Sequence, residues 1–305
     1  MNFKKNIIFS GNSNEKLINK IKKKIKIKFG KINISRFLDG EIMVKIKENI
    51  RNKNVFIIQS ICNPVNDNLM EMIIIIDAIK RAYAKNIIGI IPYYGYSRQD
   101  RKIGYSKTPI SAKIIANILK ISGLNHIMIF DLHSEQIQGF FDIPIENIYT
   151  YKIFYKNIKK KKLYNPIIIS PDIGGIKRSR KLSKKINCNL GIIDKYRIKN
   201  NLSNALNLIG NVKNRDCIIT DDIIDTGGTI INAANMLKKY GALRIICYCS
   251  HGVLSNNSLK KIYNSNLDEL IITDTIPLKK KFKNKKIKQI SCSNLIIKFI
   301  NKYNK

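Results

Sequence analysis

The densest chemistry in the chain is the run Asp221-Asp222-Ile223-Ile224-Asp225-Thr226-Gly227-Gly228-Thr229, which follows the apolar stretch CIIT and precedes a segment with helical period. Glycines permit close backbone approach, and successive N–H groups with threonine hydroxyls at a helix N-terminus form a cradle for an anion. A phosphate suits that cradle. The paired acids would repel a phosphate but can accept hydrogen bonds from two vicinal hydroxyls, so a ligand with both features, a ribose 5-phosphate, satisfies the run. A plain turn with an N-cap is the weaker reading, because three acids within five residues repel one another when no ligand is bound.

The elements that must position this run are α/β. Apolar, β-branched stretches (VFIIQS from Val55, IIGIIPY from Ile87, HIMIFDL from His126) alternate with helical periods over 68–84 and 111–121. The rhythm restarts with PIIISPD from Pro166, LGIID from Leu190, DCIITDD from Asp216 and LRIICYCS from Leu243, with helices expected over 174–187 and 228–240. Continuous apolar strands separated by helices imply parallel sheets covered on both faces, twice over. The lysine-rich stretch 156–162 is the expected junction. Ligands of such sheets bind beyond the carboxyl ends of the strands, and those ends read PYYGYSRQDRK, FDLHSEQ, SPDIGG, IDKYRIK and TDDIIDTGGT.

The chain has 305 residues, room for about two domains of about 150. Its hydrophobic fraction of 44% argues for a folded chain despite a net charge of +35. The lysines are scattered (KIKKKIKIK from Lys20, IKKKKL from Ile158, LKKKFKNKKIK from Leu278) among abundant Ile and Asn, so a solvated surface is favoured over a specific nucleic-acid footprint. No stretch nears the roughly 18 apolar residues of a membrane span, and the short apolar patch after the basic start is no export signal. The six cysteines form no CxxC pair and lie mostly in apolar runs, which fits a reducing cytoplasm. Nor does any GxxxxGK[ST] follow a strand, so a nucleotide would need a different device.

Taken together and in order, FLDGEIMVKIKENIRNKNVFIIQS, NDNLMEMIIIIDAIKRA, IPYYGYSRQDRK, DLHSEQIQGFFDIP, SPDIGG, IIDKYR and DDIIDTGGT resemble the ribose-phosphate diphosphokinase (phosphoribosyl pyrophosphate synthetase) family of the phosphate-activated class, over most of the chain. The resemblance implies two phosphoribosyltransferase-like domains, each a mostly parallel sheet flanked by helices: residues 1–149, joined by a C-terminal helix at 293–305, on the ATP side, and 150–292 on the ribose 5-phosphate side. It implies transfer of the diphosphoryl group of ATP to the C1 hydroxyl of ribose 5-phosphate, giving 5-phosphoribosyl 1-diphosphate and AMP for nucleotide biosynthesis. Phe37, Asp39, Gly40 and Glu41 match the adenine-contacting loop, and Arg98 and Gln99 a second ATP segment. His133 and Asp172 match the Mg²⁺ residues; a hard cation prefers the carboxylate and substrate phosphates, so the histidine is the less expected ligand. Lys195 and Arg197, in the stretch 194–200, match a mobile catalytic loop, with Arg197 also at the sugar. Asp221, Asp222, Asp225, Thr226, Gly227, Gly228 and Thr229 match the ribose 5-phosphate loop.

The resemblance also implies a cytoplasmic homo-oligomer, a hexamer built from dimers, activated by phosphate ion. The chain departs from the family pattern at Tyr196 and Ile198, where Arg-Pro is usual, and at Gly252 and Asn256, in a segment that serves ADP and phosphate regulation in relatives. Two alternatives stay open. A phosphoribosyltransferase that consumes the activated sugar shares DDIIDTGGT but has no use for DGE, SRQD, DLHSEQ or KYR, and a catalytically silent oligomer subunit would lack Lys195, Arg197, His133 or Asp172.

Overall fold

The computed structural model describes residues 5–105, 107–197, 204–278 and 285–303, apart from the side chains of 195–197 and 204–206. The chain forms two compact units: Met1–Ile148 with Thr275–Pro277 and Ser291–Lys305, and Tyr149–Asp274 with Leu278–Ile290.

The first unit holds a five-stranded sheet of β1 (Asn6–Ser10), β4 (Asn54–Ile58), β5 (Asn86–Ile91), β6 (His126–Phe130) and β7 (Ile145–Ile148), paired in that order and parallel throughout. Apart from the edge strand β7, whose sequence is IENI, its strands are largely apolar on both faces, as a doubly covered parallel sheet requires. Helices α2 (Val65–Arg81) and α3 (Ser111–Ser122) bury Met72, Ile75, Ile76, Ala112 and Leu119 in one core with Val55, Ile57 and Ile87. The C-terminal helix α8 (Ser293–Lys302) belongs to this unit and sets Phe299 edge-on to His126, ring centroids 5.8 Å apart. Burial lowers the pKa of His126. Between β1 and β4 run α1 (Glu15–Lys22) and an antiparallel hairpin of β2 (Ile32–Arg36) and β3 (Ile42–Ile46), whose alternating Ile32, Ile34, Val44 and Ile46 rest on the core.

The second unit holds a seven-stranded sheet. Helix α4 (Tyr151–Ile158) and β8 (Ile167–Ser170) lead into α5 (Ile176–Ile186), β9 (Asn189–Arg197) and β10 (Asn204–Ile209). Next come β11 (Asp216–Ile224), α6 (Gly228–Lys239), β12 (Arg244–Gly252), α7 (Ser258–Tyr263), β13 (Glu269–Thr273) and β14 (Ile287–Ile290). The spatial order is β10-β9-β8-β11-β12-β13-β14, with only the β9–β10 pair antiparallel. Helices α4 and α5 cover one face through Phe154, Ile158 and Leu182, against Ile168, Ile218 and Ile246. Helix α6 covers the other through Ile230, Ala233 and Leu237.

The expected fold class therefore holds. One expectation does not: 156–158 close α4, which is anchored by Phe154 and Ile158, so the lysine run lies inside the second unit and is no junction. Of its lysines only Lys156 lies within α4; 159–162 follow the helix, and Lys161 pairs with Glu269 of the same unit, Nζ to Oε2 2.8 Å.

Candidate active site

The order β9-β8-β11 makes three functional segments neighbours, because these strands are parallel and end on one edge of the sheet. Beyond β8 lies SPDIGG, at the end of β11 lies DDIIDTGGT, and β9 carries the backbone of Asp194 and of the two expected catalytic cations, Lys195 and Arg197. That stretch was expected as a loop. Instead 194–197 continue β9 by pairing with β10, Lys195 opposite Leu206 and Arg197 opposite Asn204, so ladder bonds hold their backbone. The side chains of Lys195 and Arg197, and residues Ile198, Lys199 and Asn200, lie outside the described residues.

At the end of β11, Asp221 and Asp222 are 9% and 6% exposed. Consecutive strand residues ordinarily face opposite sides, yet both carboxylates reach one guanidinium. Arg178 Nη1 stands 3.2 Å from Asp222 Oδ1 and 3.5 Å from Asp221 Oδ1. The backbone N–H of Asp222 also donates to Asp221 Oδ1 at 2.8 Å. Burial, then the Asp222 charge, push the Asp221 carboxyl well above the ordinary aspartate range, with Arg178 pulling it back. Asp172, beyond β8, adds to the upward push.

The turn into α6 follows at once. Gly227 caps the helix with φ +83°, a left-handed backbone that favours glycine, and its carbonyl accepts from Ile231 N at 3.0 Å. Thr226 and Gly228 are exposed, so the first turn offers its N–H groups to solvent, while Asp225 is held through Oδ1 by the Ser255 hydroxyl. Asp172 is partly exposed; its Oδ1 accepts from Gly175 N at 2.8 Å, and its carbonyl accepts from Ser170 Oγ at 2.7 Å. That arrangement leaves a partly exposed carboxylate just before α5, the kind of hard oxygen donor Mg²⁺ takes one of when phosphates supply the rest.

In the first unit the hairpin tip carries Phe37, Asp39, Gly40 and Glu41. Phe37 N donates to Glu41 O at 2.9 Å, Gly40 N to Phe37 O at 3.0 Å and Glu41 N to Asp39 Oδ1 at 3.0 Å. Gly40 has φ +96° with open space where a Cβ would stand, so the turn demands its conformation, not its size. Phe37 is 54% exposed, an aromatic face offered to a partner. Arg98 and Gln99 follow β5, both exposed; the Gln99 carbonyl accepts from Ala112 N at 3.1 Å and its side-chain oxygen accepts from the Ser111 hydroxyl, so Gln99 also secures the start of α3. His133 follows the neighbouring strand β6 and is exposed. Among the described residues no three His, Cys, Asp or Glu side chains gather as a metal site.

Sequence reasoning missed Arg178 and Ser255. A faint signal for Arg178 existed, since it stands three residues past the Gly-Gly of SPDIGG, but five other basic residues in that helix concealed it. Asn256, one of the positions that departs from the family pattern, takes φ +52°, a conformation asparagine tolerates.

Known proteins place this geometry. Residues 6–123 match the model for the N-terminal domain of ribose phosphate pyrophosphokinase, and 165–305 match that for the phosphoribosyl synthetase-associated domain. The ribose-phosphate pyrophosphokinase of Ralstonia nicotianae is 48% identical over 90% of this chain and 86% of its own length. That of Nitrosomonas europaea is 45% identical over 97% and 94%. The crystal structure of phosphoribosylpyrophosphate synthetase from Mycobacterium smegmatis superposes with a TM-score of 0.91 at 34% identity, covering 98% of both chains.

Proposed function

The chain belongs to the ribose-phosphate pyrophosphokinase family, and from that premise we propose how its residues divide the work. The enzyme transfers a diphosphoryl group from ATP to ribose 5-phosphate. The C1 oxygen of the sugar bonds to the β-phosphorus, the bond from that phosphorus to the oxygen bridging to the α-phosphate breaks, AMP leaves, and the hydroxyl proton passes to solvent or a nearby base.

The observation that carries the assignment of the sugar site is the buried acid pair late in β11, on the strand whose turn leads into the N-terminus of α6. Asp221 and Asp222 accept the two ring hydroxyls; Asp225, Thr226, Gly227, Gly228 and Thr229 wrap the 5-phosphate. Phe37 stacks on the adenine, Asp39 and Glu41 accept from its exocyclic amine, Gly40 shapes the turn, and Arg98 with Gln99 holds the triphosphate. Lys195 and Arg197 neutralise the charge that builds on the nonbridging oxygens during transfer, and Arg197 also reaches the sugar. Asp172 in the second unit would hold Mg²⁺, which would screen the phosphate charge, and its partly exposed carboxylate fits that role; His133 in the first unit is the other residue that would serve the metal. The family resemblance supports a cytoplasmic homo-oligomer, a hexamer built from dimers, with phosphate ion as activator. Among the described residues no helix is long and apolar enough to cross a membrane.

Phosphorus NMR of ATP, ribose 5-phosphate and Mg²⁺ with the enzyme tests this reading. The expected products are AMP and a sugar 1-diphosphate in equal amounts. Intact ATP beside a protein that consumes 5-phosphoribosyl 1-diphosphate would favour the phosphoribosyltransferase reading.

A further inference from the structure

We infer that Arg178 is the positioning residue of the sugar site: its guanidinium draws the two strand-end carboxylates to one side of β11 and holds them as a matched pair of acceptors for a vicinal diol. The inference rests on the sugar-site reading above. Asp221 and Asp222 are consecutive on a strand, and an extended backbone alone would send their side chains to opposite faces. Arg178 reaches both at 3.5 and 3.2 Å, and all three side chains are at most 19% exposed. Two nearly buried like charges side by side are costly unless a cation shares them.

The helix is held for the purpose. The Asp172 carboxylate takes Gly175 N just before α5, which brings Arg178 into its first turn. One residue on, Ser179 Oγ and Thr220 Oγ1 lie 2.7 Å apart in a buried hydrogen bond that locks α5 to β11 one residue before the acid pair. Both contacts are made by the one nitrogen Nη1, so the positive charge is placed at a point between the carboxylates; a lysine keeps the charge but brings it on a different stem and without the planar group. Arg178 therefore acts on the sugar through Asp221 and Asp222, and its effect should depend on the diol, not on the phosphate.

Isothermal titration of the full-length enzyme with ribose 5-phosphate and with 2-deoxyribose 5-phosphate, which lacks one of the two vicinal hydroxyls, separates these contributions. Wild type should prefer the ribose compound by about tenfold or more, as expected for hydrogen bonds to a charged acceptor. Arg178→Gln should lose about tenfold of its affinity for ribose 5-phosphate and less than threefold for the deoxy sugar, so the preference collapses. Arg178→Lys should fall between, and it reads the same ratio if Arg178→Gln does not fold. A variant that loses both sugars equally, or that keeps the wild-type preference, overturns the role of Arg178. A wild type that binds ribose 5-phosphate without any preference overturns the diol reading itself, and the role of Arg178 with it.

Discussion

In the first unit the candidate groups stand in solvent: Phe37 is more than half exposed on its hairpin, and Arg98 and His133 are exposed beyond neighbouring strands of an all-parallel sheet. In the second unit the acid pair at the carboxyl edge is withdrawn into the fold, where Asp221 and Asp222 share Arg178 and lean on a core that includes the fully buried Cys247 and Cys249. Both sheets are built alike from apolar strands, so their architecture does not explain the contrast. The ligands do. A purine has an aromatic face that an exposed ring can cover at little cost in stability, whereas a small diol offers only hydroxyls, and hydrogen bonds to them gain most where water is excluded. On the proposed assignment, the binding of the sugar rests on groups that weaken the empty fold.

The largest effect should come from the strand next to this edge. Lys195→Ala is expected to lower kcat by about 10³ with a smaller change in KM, because its charge acts mainly on the transferring phosphoryl oxygens. Steady-state AMP release measures this, and a variant within tenfold of wild type would remove Lys195 from the mechanism.

On the exposed side, Phe37→Ala should raise KM for ATP about tenfold, the value of one lost aromatic stack, and leave KM for ribose 5-phosphate unchanged. Its melting temperature should hardly move, since the ring is 54% exposed. A large fall in melting temperature would break the contrast by showing that the hairpin tip supports the fold.

The smallest effect has the most telling sign. The carboxyl of Asp221 titrates above its ordinary value in the folded chain, so as pH rises from the ordinary aspartate range the unfolded chain gives up this proton first and stability declines. Above the folded value the whole cost remains. Asp221→Asn should therefore raise the melting temperature at neutral pH, by about 2–4 °C for a gain of about 1 kcal/mol. The gain should vanish as pH falls towards the ordinary aspartate range. A destabilised Asp221→Asn at neutral pH would mean that the ion pair with Arg178 outweighs the burial of charge.

Much of this was legible in the residues. Continuous apolar runs revealed parallel strands because a doubly covered strand has no polar face to alternate, and DDIIDTGGT carried a diol site and an anion cradle in adjacent residues. The hairpin was less visible. Ile32, Ile34, Val44 and Ile46 do alternate about Asp39-Gly40, but isolated from their core they read as a surface turn. That residues 194–197 extend β9 was hidden because Lys-Tyr-Arg has no apolar period, and only pairing with β10 draws it straight. Arg178 was hidden by composition: with 56 lysines and arginines in the chain, no single cation stands out until two carboxylates are found beside it.

The division between an exposed nucleotide side and a buried sugar side is tested most directly by two isothermal titrations of a single Asp222→Asn protein, one with ribose 5-phosphate and one with a nonhydrolysable ATP analogue and Mg²⁺. Loss of a buried charged acceptor should weaken the sugar by about tenfold or more, corresponding to about 1.5–3 kcal/mol, with the nucleotide isotherm unchanged. An equal loss for both ligands, or an unchanged affinity for the sugar, would contradict it.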